Sequence, residues 1–208
     1  MIKLLPIAHE KFPFLVIDNF YSDEELEKIW KEIDFLSDKA RPEDRVVAKK
    51  DGKSLASVKR VYLDNLYTNR DTSNILSIFP TRLYCDEVRQ IYQELVPSGV
   101  NFNTSNYDAT QLSYYENKDG YKPHTDVFQH TALTWIFKQP KKFEGGDLIF
   151  TQSKMKAECM YNRTIIFPSW YYHAVSEIKM KEENLNKGLG RWAITHFINF
   201  RTVALETT

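Results

Sequence analysis

The feature that most constrains the fold lies in the second half of the chain, where short apolar segments recur at regular intervals. Tyr107–Tyr115 alternates in character, and further segments follow at 131–137, 147–150, 163–167, 172–178 and 191–200. Turn-like stretches at 117–120, 141–146, 153–156 and 181–190 separate them. Strands at this spacing predict an all-β sandwich or barrel rather than βαβ units.

The first half reads differently. Residues 12–18 form a short run of aromatic and branched residues that predicts a strand. Ser22 and Glu25 make a capping box, with Tyr21 and Leu26 placed for a hydrophobic staple. Leu26, Ile29, Trp30, Ile33 and Leu36 then repeat at helical spacing. Residues 60–64 predict a returning strand, and 72–95 predict two helices or one kinked at Pro80. The expected organisation is a single domain over 1–208, with helical support in 1–104 and a β-core in 105–203. Between Arg45 and Arg60 there are six Lys or Arg against one acid, Asp51. That stretch reads first as a solvated loop and second as a lid over a substrate.

Composition removes several classes of function. The chain carries 28 basic and 28 acidic residues, so no global field recruits nucleic acid or an anionic membrane. Cys85 and Cys159 form no CxxC pair, which argues against a disulfide framework or thiolate zinc site and for two structural thiols. The opening segment has an apolar run broken by Pro6 and then His9, unlike a signal peptide, and the expected compartment is the cytoplasm. No run approaches the ~18 apolar residues of a membrane helix. Oligomeric state is not legible.

Chemistry concentrates at Tyr121-Lys-Pro-His124-Thr-Asp126. On a strand, residues i and i+2 share a face, so His124 and Asp126 can hold one ion. His173 supplies a third candidate from an apolar setting where an unpartnered imidazole is costly. Two histidines and a carboxylate leave positions open on a ferrous ion. Arg191 opens the last apolar strand and offers a planar fork for a carboxylate. Together they describe a site for iron and a chelating dicarboxylate.

These blocks resemble the iron(II)- and 2-oxoglutarate-dependent dioxygenases, in their prolyl 4-hydroxylase-like branch. The resemblance runs in order through Tyr115, the Tyr121 to Asp126 motif, Phe143-Glu-Gly-Gly-Asp-Leu148, Asn162 to Pro168 with His173-Ala-Val, and Arg191-Trp-Ala-Ile-Thr195. It covers 107–201 well and 12–36 loosely. It implies a double-stranded β-helix (a jelly-roll, cupin-like core) with N-terminal helices packed on one sheet. It also implies Fe(II), 2-oxoglutarate as cosubstrate and O2, with ascorbate as a candidate reductant. The implied reaction is hydroxylation of an unactivated C–H bond, of a prolyl or other peptidyl residue or a small molecule, with succinate and CO2 as co-products.

Carried over by residue, the resemblance implies His124, Asp126 and His173 as metal ligands. Arg191, Tyr115, Thr195 and Trp135 would surround 2-oxoglutarate, with Tyr121, His130 and Trp170 as candidates for the substrate pocket. His130 otherwise reads as a loop histidine, and Trp170, Tyr171 and Tyr172 as core and pocket wall. His196, out of phase with Arg191, is expected on the outer face. Two departures stand out: a spacing of 18 from His173 to Arg191, which reads as a charged insertion over 179–187, and Trp135 where many members carry tyrosine. An AlkB-type nucleic-acid demethylase is the first alternative, disfavoured because Ala193 and Phe197 replace its Asn and second Arg. A cupin-like metal enzyme without 2-oxoglutarate, or a non-catalytic binding module, are the others.

Overall fold

A computed structural model describes residues 2–42 and 49–201. Its strands form two main antiparallel sheets and two short two-stranded ribbons, and both faces of the largest sheet are covered. That sheet contains β1 (Lys3–Ile7), β2 (Phe14–Asp18), β3 (Lys59–Tyr62), β4 (Tyr107–Tyr115), β6 (His130–Ile136), β9 (Arg163–Pro168) and β11 (Arg191–Asn199). Its order is β1-β2-β9-β6-β11-β4-β3, ending on the two-residue strand Arg41–Pro42. The smaller sheet runs β8 (Met155–Ala157), β7 (Leu148–Phe150), β10 (His173–Val175), β5 (Gly120–His124) and Ala56–Ser57. This is the expected double-stranded β-helix.

Alternation along the strands sorts side chains into two cores. Phe14, Val16, Leu133, Trp135, Ile165 and Phe167 point between the sheets and meet Leu148, Phe150 and Val175. Leu15, Ile17, Ala132, Ile136, Leu112, Ile194 and Ile198 point outward under the helices. A sheet covered on both faces needs apolar residues at both parities, which is why β6 is buried along its whole length. The helices are α1 (Asp23–Leu36), α2 (Asn74–Leu83) and α3 (Asp86–Leu95). The Ser22–Glu25 capping box forms reciprocally, and Tyr21 and Leu26 join the same outer core. Among the described residues no helix is long and apolar enough to cross a membrane.

Three expectations change in detail. The residues around Pro6 form β1, paired along its length with β2. The helical stretch divides at Tyr84 and Cys85, where Cys85 turns extended, while Pro80 lies inside α2. The segment from 45 to 60 is only partly described, since 45–48 lie outside the described residues. Its later part forms a Lys49–Lys50 and Lys53–Ser54 hairpin, and Ala56–Ser57 then pairs with Tyr121 and Gly120 on β5.

His196 takes the outer face, stacked on Phe79 of α2 and 3.1 Å from Asp108 Oδ2 through Nδ1. His130 is also outward, which overturns its place in the substrate pocket. Its side chain is buried against Phe102 and Tyr92, with Nδ1 3.0 Å from the Tyr92 hydroxyl. Burial pushes its pKa down to about 4, whereas the unfolded chain titrates near 6.5. Its neutral burial therefore stabilises fully above about pH 6.5, and that contribution is lost as pH falls towards 4. His130→Gln should lower the pH slope of the unfolding free energy across this window by up to one proton, about 1.4 kcal/mol per pH unit. Denaturant titrations at several pH values check this, and an unchanged slope contradicts it.

Candidate metal and anion site

The antiparallel pairing of β10 with β5 sets His173 directly opposite His124. Asp126 follows two residues after His124, its backbone N–H held by the Ser169 carbonyl at 3.0 Å. The ligand atoms of the three residues all lie within 4.8 Å of one another. His124 Nε2 is 3.6 Å from Asp126 Oδ1, and His173 Nε2 is 3.6 Å from Oδ2. Two donors each about 2.1 Å from a shared ion have a similar separation.

Both imidazoles are oriented for this task. His124 Nδ1 lies 2.9 Å from the Lys122 carbonyl and His173 Nδ1 lies 2.8 Å from the Tyr171 carbonyl. A carbonyl only accepts, so each Nδ1 carries the proton and each Nε2 presents a lone pair. Burial pushes both pKa values down to about 4, and for His124 the neighbouring His173 adds to the effect. The rings are thus neutral at pH 7. Burial raises the Asp126 carboxyl, against the pull of His124 and of a hydrogen bond from Thr131. Thr131 Oγ1 donates to Asp126 Oδ2 at 2.7 Å and also meets Ser169 Oγ at 2.8 Å. Nothing in the sequence motif singled out Thr131, although its parity with Leu133 and Trp135 on β6 places it on the inner face.

Behind this cluster Arg191 is fully buried. Its guanidinium lies 4.6 Å over the Tyr115 ring and 5.8 Å from that of Trp135. Among the described residues, none of its three nitrogens has a hydrogen-bond partner, and neither does the buried Trp135 Nε1. Buried donors without partners are costly, and an anion seated in this corner would satisfy them. Gly146 makes room for it: at φ +78° it accepts a conformation that side chains resist, and a Cβ there would stand 2.7 Å from Arg191 Cδ.

A cavity of about 530 Å³ opens onto the cluster. Tyr115, Tyr121, Thr195, Leu133 and Phe167 line it, and Tyr121 stacks on His124 with ring centroids 3.6 Å apart. The structure thus gathers His124, Asp126, His173, Tyr115, Tyr121 and Thr195 around one space, with Arg191 and Trp135 beside it. Trp170 is corrected along with His130. It is 55% exposed, packs on Phe12 and Tyr171 in the turn after β9, and does not line the cavity. Tyr172 is likewise exposed, and only Tyr171 is core. The charged insertion after His173 runs along the sandwich edge, where Lys179–Met180 pairs with Phe143–Glu144.

The donor set, two neutral imidazoles and one carboxylate, suits a divalent ion such as Fe(II) or Mn(II). Thr131→Val should weaken metal binding about 10-fold by freeing the Asp126 carboxylate from its orientation. Calorimetric titration with Mn(II) measures this, and equal affinity in both proteins contradicts it.

Comparison with known proteins agrees with this geometry. Residues 110–199 match the family model of the 2OG-Fe(II) oxygenase superfamily. No curated protein matches the sequence. Among solved structures, a Pseudomonas putida prolyl-4-hydroxylase superposes with a TM-score of 0.59 at 13% identity, covering 91% of this chain and 93% of its own. A viral collagen prolyl hydroxylase from Paramecium Bursaria Chlorella virus-1, solved as a 2OG complex, gives 0.57 at 13% identity over 91% and 96%. A Trichoplax adhaerens prolyl hydroxylase, bound to a peptide fragment of the hypoxia inducible factor oxygen degradation domain, gives 0.56 at 16% identity over 89% and 83%. At such identities the likeness is one of fold, and it spans nearly the whole chain. Residues 110–199 of the β-core thus match the 2OG-Fe(II) oxygenase superfamily, and nearly the whole chain is similar in fold to prolyl 4-hydroxylases.

Proposed function

We propose that the protein is an Fe(II)- and 2-oxoglutarate-dependent dioxygenase that hydroxylates an unactivated C–H bond of a peptidyl residue, prolyl residues included. Succinate and CO2 are the co-products. The observation that carries this reading is the pairing of the His124, Asp126 and His173 cluster with a buried, unpartnered Arg191. A metal enzyme that used no dicarboxylate would have no need to bury three free guanidinium nitrogens beside its ion. The peptidyl preference rests on the fold relatives, one of which holds a peptide.

Bound iron supplies dioxygen activation and oxidative decarboxylation of the keto acid; the chain supplies everything that positions them. His124, Asp126 and His173 would hold the ion, with both Nδ1 protons kept on backbone carbonyls. Arg191 would receive the distal carboxylate of 2-oxoglutarate, and the Trp135 Nε1–H would add a second donor where many relatives use tyrosine. Tyr115 supports the guanidinium with its ring, and Thr195 offers a hydroxyl in the cavity. Leu133, Leu148, Phe167 and Val175 form an apolar wall that limits water near the ion.

The AlkB-type alternative is not favoured. Phe197, standing where that group carries a second arginine, lines the cavity and stacks with Phe128 at 4.9 Å.

Two outcomes test the assignment. Asp126→Ala should abolish succinate release and sharply weaken metal retention, because the ion loses its one anionic protein ligand. Full turnover by this variant would remove Asp126 from the ligand set. Arg191→Lys keeps the charge but loses the fork, and should raise the 2-oxoglutarate concentration needed for half-maximal turnover about 10-fold. An unchanged titration curve would place the carboxylate elsewhere.

A further inference from the structure

We infer that Val127, Phe128 and Phe197 form an apolar subsite at the mouth of the cavity, which holds a large apolar side chain flanking the hydroxylated residue of a peptide. This rests on the dioxygenase reading above and narrows its substrate class.

Strand parity orders the site from floor to mouth. Arg191, Ala193, Thr195 and Phe197 lie two apart on β11 and share its inner face. Each such step advances about 6.8 Å, so Phe197 lies about 20 Å along the strand from Arg191. The β6–β11 register sets Thr195 opposite Leu133, and Phe197 opposite Thr131, the residue that donates to Asp126. Arg191 is sealed beneath the cavity, whereas Thr195 and Phe197 both line it. The cosubstrate belongs to the Arg191 end, with its keto acid at the ion, so the Phe197 end is left to the substrate.

The loop from β5 to β6 completes that end. Val127 follows Asp126 directly, its Cα about 3.8 Å further along the chain. Its side chain is 90% exposed, more than any other large apolar residue among those described. This exposure is not that of a loose loop. The Asp126 N–H donates to the Ser169 carbonyl at 3.0 Å, and the Gln129 N–H donates to the Ile198 carbonyl at 3.1 Å. Val127 and Phe128 are thus presented between two pinned positions, which lowers the entropy cost of using them. Phe128 stacks on Phe197 with ring centroids 4.9 Å apart, and all three residues line the cavity.

Single apolar residues on a surface need no explanation, but three around the mouth of one cavity do. None of the three side chains offers a hydrogen bond to a polar group, so their surface rewards only an apolar one. The position of that group follows from chain geometry. A target residue over the ion places its neighbours about 3.3–3.6 Å away per residue, so side chains one or two positions from it reach the rim. A free amino acid at the ion would leave the rim uncovered, which is why the subsite selects a peptide.

The probes are capped heptapeptides of alanine centred on X, where X is each of the twenty amino acids in turn. One of the four positions within two residues of X carries Leu in one twin and Asn, a polar near-isostere, in the other. Each pair is read twice. Stimulated succinate release reports turnover, and broadening of the probe's proton NMR signals by Mn(II) in the site reports binding without turnover. In the wild type the Leu twin should exceed the Asn twin about 10-fold at one or more positions, the scale of a well-placed apolar contact. In Val127→Ser and Phe128→Ala that ratio should fall towards one, whereas Val127→Ile should retain it. A ratio cancels any loss of activity common to both twins, and Val127 is too exposed for its replacement to disturb the core. The responding position names the flank.

Equal response of Leu and Asn twins at all four positions in the wild type overturns the subsite, and with succinate release present it leaves the dioxygenase reading standing. A ratio that survives in both Val127→Ser and Phe128→Ala also overturns it, as does no engagement of any probe in either assay. Absence of succinate release with an intact Leu preference in the Mn(II) broadening would overturn the dioxygenase reading and leave the subsite standing.

Discussion

The register that sets His173 opposite His124 turns three residues from separate motifs into one centre. A slip of one residue between β10 and β5 would send one imidazole to the other face of the small sheet and leave a single histidine beside Asp126. That register is maintained by the sandwich around it. β10 lies between β7 and β5, and Val175 on it packs into the inter-sheet core with Leu148 and Phe150. Apolar packing therefore fixes the ligand geometry, and the ligands themselves add little to stability until an ion joins them.

The same logic extends to the anion corner. Arg191 begins the strand that lies between β6 and β4, paired itself with Tyr115 on β4 and followed by Trp192, which is paired with Ile136 on β6. The helices cover one face of that sheet and the small sheet packs on the other, and between them Arg191 is left fully buried. A guanidinium so placed is costly by itself and valuable once a carboxylate arrives, because interactions strengthen as water is excluded.

Much of this was legible in the sequence, for physical reasons. The Ser22 capping box and the inner ligand pair at His124 and Asp126 depend on local spacing, which sequence displays directly. Arg191 and His196 were separated correctly because strand parity alone puts them on opposite faces. The same parity argument would have corrected His130, since Trp135 lies five residues further along β6 and the two cannot share a face. Trp170 was misplaced because parity does not carry through the turn from Ser169 to Tyr172. Thr131, which donates to Asp126, was invisible as a site residue. Its contact arises from β6 lying beside the loop that carries Asp126, a lateral neighbourhood that no local pattern reveals.

The central claim is that one ion and one dicarboxylate share this site, and a crystal structure with Mn(II) and 2-oxoglutarate tests it most directly. The account predicts Mn(II) bound by His124 Nε2, Asp126 and His173 Nε2, with the far carboxylate of 2-oxoglutarate on the Arg191 guanidinium. A metal held by other residues, or a carboxylate seated away from Arg191, would contradict it.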